Sequence, residues 1–268
     1  MKMSQWSDMY RQKLTTPEKA VKIVQSGDWV DYGMATSQPI LLDKALAERK
    51  EELKDIKVRM SFSFMPRQII ECDPQRETFT AMNWHMSGYD RKMCAKGLMN
   101  FIPMCYRNEP SMYRDILDVD VAMITVAPMD KHGFFNFGLN ISANEAITKK
   151  AKKVIVEVNE AMPRALGGRG EHIHISDVTA IVEAGSLPLP TIPFKTGDAV
   201  DTTIAEMIVK TIPDGATLQL GVGGLPNTVG AMIAESDLKD LGMHTEMLVD
   251  AFYLMYKEGR LTNKVKTL

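Results

Sequence analysis

Val119-Asp120-Val121-Ala122-Met123-Ile124-Thr125-Val126-Ala127 is an apolar run of strand length that Pro128 ends. A strand this apolar has no solvent face, so it belongs inside a parallel sheet covered by helices on both sides. The flanking sequence supplies those layers. Towards the N-terminus, Thr15-Thr16-Pro17-Glu18 opens a helix, with Thr15 as cap, Glu18 closing a capping box, and the proline where a missing N–H costs nothing. Ala20, Val21, Ile23 and Val24 give it an apolar face, and Gly27 stops it. Residues 28–32 read as a strand ending at Gly33, and residues 40–53 as an amphipathic helix with Leu41, Leu42, Ala45 and Leu46 on one side. The alternating strand 56–64 completes a β-α-β unit. After the opening run come a helix at 142–151 and strands at 154–158 and 177–182. Helices alternating with strands predict an α/β layer fold.

The composition is that of an ordinary globular chain: of 268 residues 45% are hydrophobic and 25% charged, which argues against a disordered, collagen-like or disulfide-stapled protein. At about 100 to 200 residues per domain, that length accommodates two domains, or one large one. Basic and acidic side chains nearly cancel, 32 against 34, so no overall field selects nucleic acid or anionic lipid, and an anionic ligand must be held locally. Cys72, Cys94 and Cys105 lack the spacing of zinc ligands and read as buried free thiols of a reducing compartment. The N-terminus lacks the order of a signal peptide, and no apolar stretch is long enough for a membrane span, so a cytoplasmic location is expected. Of the 20 methionines many lie between Met60 and Met104; flexible core filler outweighs a methionine-lined pocket.

Gly185-Ser-Leu-Pro-Leu-Pro-Thr-Ile-Pro-Phe-Lys-Thr-Gly197 carries Pro188, Pro190 and Pro193 and blocks both helix and ladder bonding. It divides the chain into a first lobe, 1–184, a linker, 185–197, and a second lobe, 198–268. The second lobe repeats the first. Ser26-Gly27 and Gly33 match Asp214-Gly215 and Gly221 at an offset of 188. Pro39 and Ala47-Glu48 match Pro226 and Ala234-Glu235 at 187, and Leu53-Lys54-Asp55 matches Leu238-Lys239-Asp240. Two related open-sheet α/β lobes are therefore expected.

Three segments carry polar chemistry. Gln219-Leu-Gly221-Val222-Gly223-Gly224-Leu225-Pro226-Asn227 lies where a strand runs into a helix. Its glycines let a ligand approach the backbone, and the free N–H groups of a helix start favour negative charge, so it serves phosphates or an oxyanion; a tight turn without ligand is the bland alternative. Its spacing departs from the dinucleotide fingerprint, because Pro226 takes the place of the third glycine. Glu246, in His244-Thr-Glu-Met247, aligns with Ser61 and follows a strand neighbouring the one that ends at Gly221. A carboxylate there faces glycine N–H groups, although most such residues are solvated or cap helices. In Pro128-Met-Asp130-Lys-His132-Gly133-Phe-Phe-Asn136-Phe-Gly138, residues 130–133 form a turn, and Asp130 with His132 reads as loop architecture ahead of an acid–base pair. His172 and His174 alternate on a strand without partners spaced for a metal.

Together with Ser26-Gly-Asp-Trp-Val-Asp-Tyr-Gly33, Trp84-His-Met-Ser-Gly88, Val154-Ile-Val-Glu-Val-Asn-Glu160, His174-Ile-Ser-Asp-Val178 and His244-Thr-Glu-Met-Leu-Val-Asp-Ala-Phe252, these segments resemble the family I CoA-transferases of the butyryl-CoA:acetate and 4-hydroxybutyrate type. The resemblance runs along essentially the whole chain, and the glycine-loop and Glu246 blocks are its specific parts. It implies ping-pong transfer of CoA between short-chain carboxylic acids, with butyryl-CoA and acetate as the leading pair. Glu246 would be the nucleophile, passing through an acyl-glutamyl anhydride to a glutamyl-CoA thioester. Gly221, Val222, Gly223, Gly224 and Leu225 would bind CoA and stabilise the oxyanion, with Gln219 as a weaker polar contact. Gly33, Asp130, His132 and Gly133 would shape the acyl side of the cleft. No permanently bound cofactor and no metal is implied; coenzyme A enters as substrate and the partners are acyl-CoA and carboxylates.

One departure stands out: family members continue well beyond Leu268. The second lobe is therefore expected to be incomplete here, and the chain to form homo-oligomers or to pair with the missing C-terminal half. An acyl-CoA hydrolase using the same Glu246, a non-catalytic fragment or half-subunit, and a nicotinamide-binding oxidoreductase resting on the glycine loop are the alternatives.

Overall fold

The computed structural model describes residues 5–168 and 170–267, and they divide into two units, residues 1–190 and 191–268. The first is built on a seven-stranded sheet of β1 (Trp29–Met34), β2 (Ile56–Ser61), β3 (Phe79–Asn83), β4 (Met99–Phe101), β5 (Val121–Val126), β7 (Lys153–Val158) and β9 (Ala180–Glu183). The order is β4-β3-β2-β1-β5-β7-β9, every pair parallel. A short antiparallel pair, β6 (Phe134–Asn136) with β8 (His172–His174), stands outside it. The helices are α1 (Gln5–Lys13), α2 (Pro17–Ala20), α3 (Leu41–Ala47), α4 (Gln68–Glu71), α5 (Gly88–Ala95), α6 (Glu109–Asp115) and α7 (Asn144–Lys150).

All six residues of β5 are buried, as a strand covered on both faces requires. Its side chains alternate between two cores: Val121 and Met123 join Val30, Val58 and Met60, whereas Ala122, Ile124 and Val126 join Val154, Val156 and Phe135. Pleating sends successive side chains to opposite faces, so this one strand ties both layers together.

Several sequence expectations shift locally. Thr16, not Thr15, caps the helix before Gly27, because Pro17 takes the first helical position. The helix expected over 40–53 ends at Ala47, and turns cover the charged run after it; there Arg49 points back to the Val21 and Val24 carbonyls. The strand expected at 177–182 begins at Ala180, after a 3₁₀ turn over Ile175–Asp177. None of the cysteines is fully buried: Cys72 and Cys94 are half-buried, and Cys105 is exposed in the irregular segment after β4. No helix among the described residues is long and apolar enough to cross a membrane. Between Glu183 and Ala199 the chain forms neither helix nor strand.

The second unit contains α8 (Ala199–Val209), β10 (Thr217–Leu218), α9 (Gly224–Glu235), β11 (Gly242–Met243) and α10 (Asp250–Lys257). Ile233, Leu241, Phe252 and Met255 centre its core. Its β10 and β11 pair in parallel with Thr217 opposite Gly242, where β1 and β2 pair Trp29 with Lys57. These are equivalent positions of the sequence repeat, and the equivalence extends to hydrogen bonds. The Gly27 N–H reaches the Lys54 carbonyl (3.0 Å) and the Gly215 N–H the Lys239 carbonyl (2.8 Å). The Lys54 N–H meets the Ser26 hydroxyl and the Lys239 N–H the Asp214 carboxylate, at 3.0 and 2.8 Å. Gly27 and Gly215, and likewise Asp55 and Asp240, share left-handed backbone.

Candidate active site

β10 ends at Leu218, and the glycine loop follows at once. Gln219, Gly221 and Val222 are exposed, whereas Gly223, Gly224 and Leu225 are half-buried as they enter α9. Gly223 is the N-cap residue at φ +137°, a conformation reserved in practice for glycine. It offers no side-chain cap, and α9 has no acidic residue in its own first turn; the protein anion at this helix start is Asp201 of α8, whose Oδ2 lies 3.2 Å from where a Cβ on Gly224 would be. The chain closes in around this start. A Cβ on Gly224 would come within 3.0 Å of Gly197 Cα, the Gly197 N–H donates to Thr228, and the Asn227 amide donates to the Lys195 carbonyl.

β11 ends at Met243, and Glu246 stands three residues on, exposed. The His244 N–H still donates to the Leu218 carbonyl at 3.0 Å, so pairing continues past the strand before the chain diverges. The Met243 N–H is held by Asn263 (2.8 Å), and the Thr245 hydroxyl donates to the Met247 carbonyl (3.0 Å). Because neighbouring strands lie about 4.8 Å apart, the parallel pair brings the glycine loop and Glu246 to the same carboxyl edge of one small sheet. A carboxylate at the same sheet edge as a helix start suits a nucleophile whose reaction creates an oxyanion.

The remaining sequence candidates occupy other surroundings. Gly33 is buried at φ +66°, and a Cβ there would lie 2.6 Å from Asn144 Oδ1 and 3.2 Å from Ile124. Gly133 packs on Trp6 and His174. Asp130 Oδ1 accepts the backbone N–H groups of His132 (2.8 Å) and Phe134 (2.9 Å), and its Oδ2 meets Arg164 at 3.3 Å. Burial works to raise its pKa, but these donors win and hold it below the usual carboxylate range. Asp130 thus serves the turn, and it engages His132 through the backbone.

The first unit holds a crevice that the sequence did not reveal. The strand order reverses between β1 and β5, with β2 to β4 on one side and β7 and β9 on the other. Such a switch point opens a crevice beyond the carboxyl ends of the strands. Ala35, Thr36 and Gln38 after β1, Thr125 of β5, and Glu157 and Asn159 at the end of β7 line it. Glu157, fully buried, accepts the N–H groups of Ile40, Leu41 and Leu42 at 2.8 to 2.9 Å and so caps α3. Burial raises its pKa against the pull of those bonds and of Arg67. Asn159 holds Leu187 by both its N–H and its carbonyl, which brings the Pro188 to Pro190 stretch to the rim. The available signal was a glutamate within the apolar run Val154-Ile-Val-Glu-Val158, but nothing local links it to Gln38 or Thr125.

Residues 1–193 match the family model for the acetyl-CoA hydrolase/transferase N-terminal domain. The chain belongs to the acetyl-CoA hydrolase/transferase family. It is 49% identical to a butyryl-CoA:acetate CoA-transferase of Anaerostipes caccae, over 98% of this chain and 59% of that protein. It is 34% identical to a 4-hydroxybutyrate coenzyme A transferase of Clostridium kluyveri, over 98% of this chain and 60% of the relative. The crystal structure of RipA from Yersinia pestis superposes with a TM-score of 0.88 at 33% identity, covering 99% of this chain and 63% of that one. The family member described here thus spans about three fifths of the length of the relatives it matches.

Proposed function

We propose that this chain carries the nucleophile and the CoA-binding loop of a CoA-transferase that moves CoA between a short-chain acyl-CoA and a carboxylate, butyryl-CoA and acetate being the favoured pair. The observation that carries the reading is the placement of Glu246 and the glycine loop at the carboxyl ends of the adjacent parallel strands β10 and β11. The Glu246 carboxylate attacks the acyl carbonyl; the C–S bond breaks, CoA thiolate leaves, and an acyl-glutamyl anhydride remains. The thiolate attacks the glutamyl carbonyl, releasing the carboxylate and leaving a glutamyl-CoA thioester. The acceptor acid runs the same two steps in reverse. The overall exchange trades one thioester for another of similar energy, and each step passes through an oxyanion that the N–H groups from Gly221 to Leu225 stabilise, with Gln219 beside them. Within this reading, residues 1–184 form the N-terminal lobe, 185–197 a linker, and 198–268 the start of the C-terminal lobe. The apolar side chains exposed on α8 and α10, among them Val200, Met207, Tyr253 and Tyr256, are the surface that a further polypeptide or a second copy covers. Three free thiols agree with a cytoplasmic setting.

Incubation with butyryl-CoA and no acceptor leaves a CoA adduct on Glu246, read by intact mass and peptide mapping. Glu246→Ala abolishes both adduct and acetate-dependent exchange. An adduct on another residue, or exchange that survives the substitution, contradicts the assignment. CoA released to water at the same rate with and without acetate identifies a hydrolase instead.

A further inference from the structure

We infer that Asn263 is a positioning residue for Glu246: its side chain takes the place of a carbonyl in a neighbouring strand and fixes the end of β11 from which the glutamate projects. The inference rests on the reading of Glu246 as nucleophile for its chemistry, and on the structure alone for its geometry.

On one side β11 pairs with β10, where the N–H groups of Gly242 and His244 donate to the Ala216 and Leu218 carbonyls at 2.9 and 3.0 Å. Successive N–H groups of a parallel strand serve opposite neighbours, so those of Leu241 and Met243 face the other way. There the chain returns over 260–263. The Leu241 N–H reaches the Arg260 carbonyl at 2.9 Å, and Leu241 forms an isolated parallel bridge with Leu261. The Leu241 carbonyl then accepts the N–H groups of both Thr262 and Asn263, each at 3.0 Å. Backbone pairing goes no further, and Asn263 Oδ1 accepts the Met243 N–H at 2.8 Å.

The internal repeat shows what the side chain replaces. At the offset of 185, Gly242 and Met243 correspond to Lys57 and Val58 of β2, and Glu246 corresponds to Ser61. β2 pairs five successive residues with β3, from Ile56 opposite Phe79 to Met60 opposite Asn83. The strand that leads to Ser61 is thus held by backbone along its length, whereas the strand that leads to Glu246 depends on one side chain at its last residue. Two demands meet at that position. Asn263 sits at φ +58°, and it must present an acceptor on a short side chain. Asparagine and aspartate combine an acceptor with tolerance of left-handed backbone. The turn itself is anchored separately at the start of β11, where Asp240 accepts the Thr262 hydroxyl at 3.0 Å and meets Lys264 at 3.2 Å. Loss of the Asn263 side chain therefore frees the Met243 end while the turn stays attached. A nucleophile needs its attack geometry held closely, and a misplacement of about 1 Å can cost about 100-fold in rate.

The test compares, in the full chain, Asn263→Gly, which keeps the left-handed backbone and removes the acceptor, with Asn263→Asp, which restores one. Single-turnover mixing with butyryl-CoA, read by intact mass, separates the amplitude of the Glu246 adduct, set by the folded fraction, from its rate constant. Asn263→Gly is expected to lower the maximal rate constant about 10- to 100-fold while the half-saturating butyryl-CoA concentration stays within about twofold. Asn263→Asp should return the rate constant to within about threefold of the unaltered chain. Hydrogen–deuterium exchange over 241–249 reads the same placement without chemistry, and should be about tenfold faster in the glycine variant and restored in the aspartate variant. Thr262→Val, which weakens the same turn at its Asp240 end, should lower the urea midpoint and leave the rate constant unchanged. A rate constant or an exchange rate unmoved by Asn263→Gly, an aspartate variant as impaired as the glycine one, or an equal slowing by Thr262→Val overturns the inference. An adduct that forms equally well in Glu246→Ala contradicts the nucleophile instead, and the exchange comparison then still decides whether Asn263 holds this strand end.

Discussion

Glu109 is a residue whose chemistry departs far from its solution behaviour. It opens α6, is 1% exposed, lies 3.4 Å from the Ser142 hydroxyl, and shares its surroundings with the buried Asp31 charge. Burial first, and Asp31 second, push its pKa up to about 8 from 4.5. A carboxyl with a folded pKa above its unfolded one binds a proton that the unfolded chain has lost. Its contribution is thus complete below the unfolded pKa and disappears as pH rises through the folded value, at up to about 1.4 kcal/mol per pH unit. Glu109→Gln keeps the neutral form at every pH. Urea unfolding measured from pH 5 to 8 should show stability falling more steeply in the unaltered chain than in the glutamine variant. Parallel profiles would mean that Glu109 is ionised inside the fold.

Among the elements, the strand–turn pairs of the two units solve one geometric problem twice. Gly27 and Gly215 sit at φ +92° and +75°, and each donates its N–H to the carbonyl of the lysine that precedes the partner strand. No heavy atom lies within 4 Å of a Cβ added at Gly27, so Gly27→Ala meets conformational strain alone, about 1 kcal/mol. At Gly215 the added Cβ also meets Val265 at 3.0 Å, so Gly215→Ala costs somewhat more. Urea midpoints compared across the two variants check both the size and the order. This level of organisation was legible in the sequence, because Gly, Pro and Asp punctuate turns by backbone chemistry that neighbouring residues suffice to express. The positions of the glycine loop and of Glu246 after strands in register with the repeat were legible for the same reason, whereas the role proposed for Glu246 came from the family resemblance. The end of α3 and the start of β9 were displaced where a side chain, Arg49 or Lys13, bonds to backbone outside its own segment, and the cap moved to Thr16 because Pro17 takes the first helical position. The crevice was hidden because Gln38, Thr125 and Glu157 are 32 or more residues apart and meet only once the strand order is known.

At the scale of the molecule, the two units differ in how far each can stabilise itself. The first has a seven-stranded sheet with a buried cluster on either face. The second has a two-stranded sheet and one small core, and it exposes Val200, Met207, Leu248, Tyr253 and Tyr256. Small domains bury a lower fraction of their surface and gain correspondingly less from it, while exposed apolar faces favour association. Residues 1–190 expressed alone are therefore expected to unfold in one cooperative urea transition, with the circular dichroism of a mixed α/β protein. Residues 191–268 expressed alone should lack such a transition or associate. A cooperative, monomeric 191–268 fragment would show that three helices and two short strands suffice, and that α8 and α10 keep their apolar side chains in water without consequence.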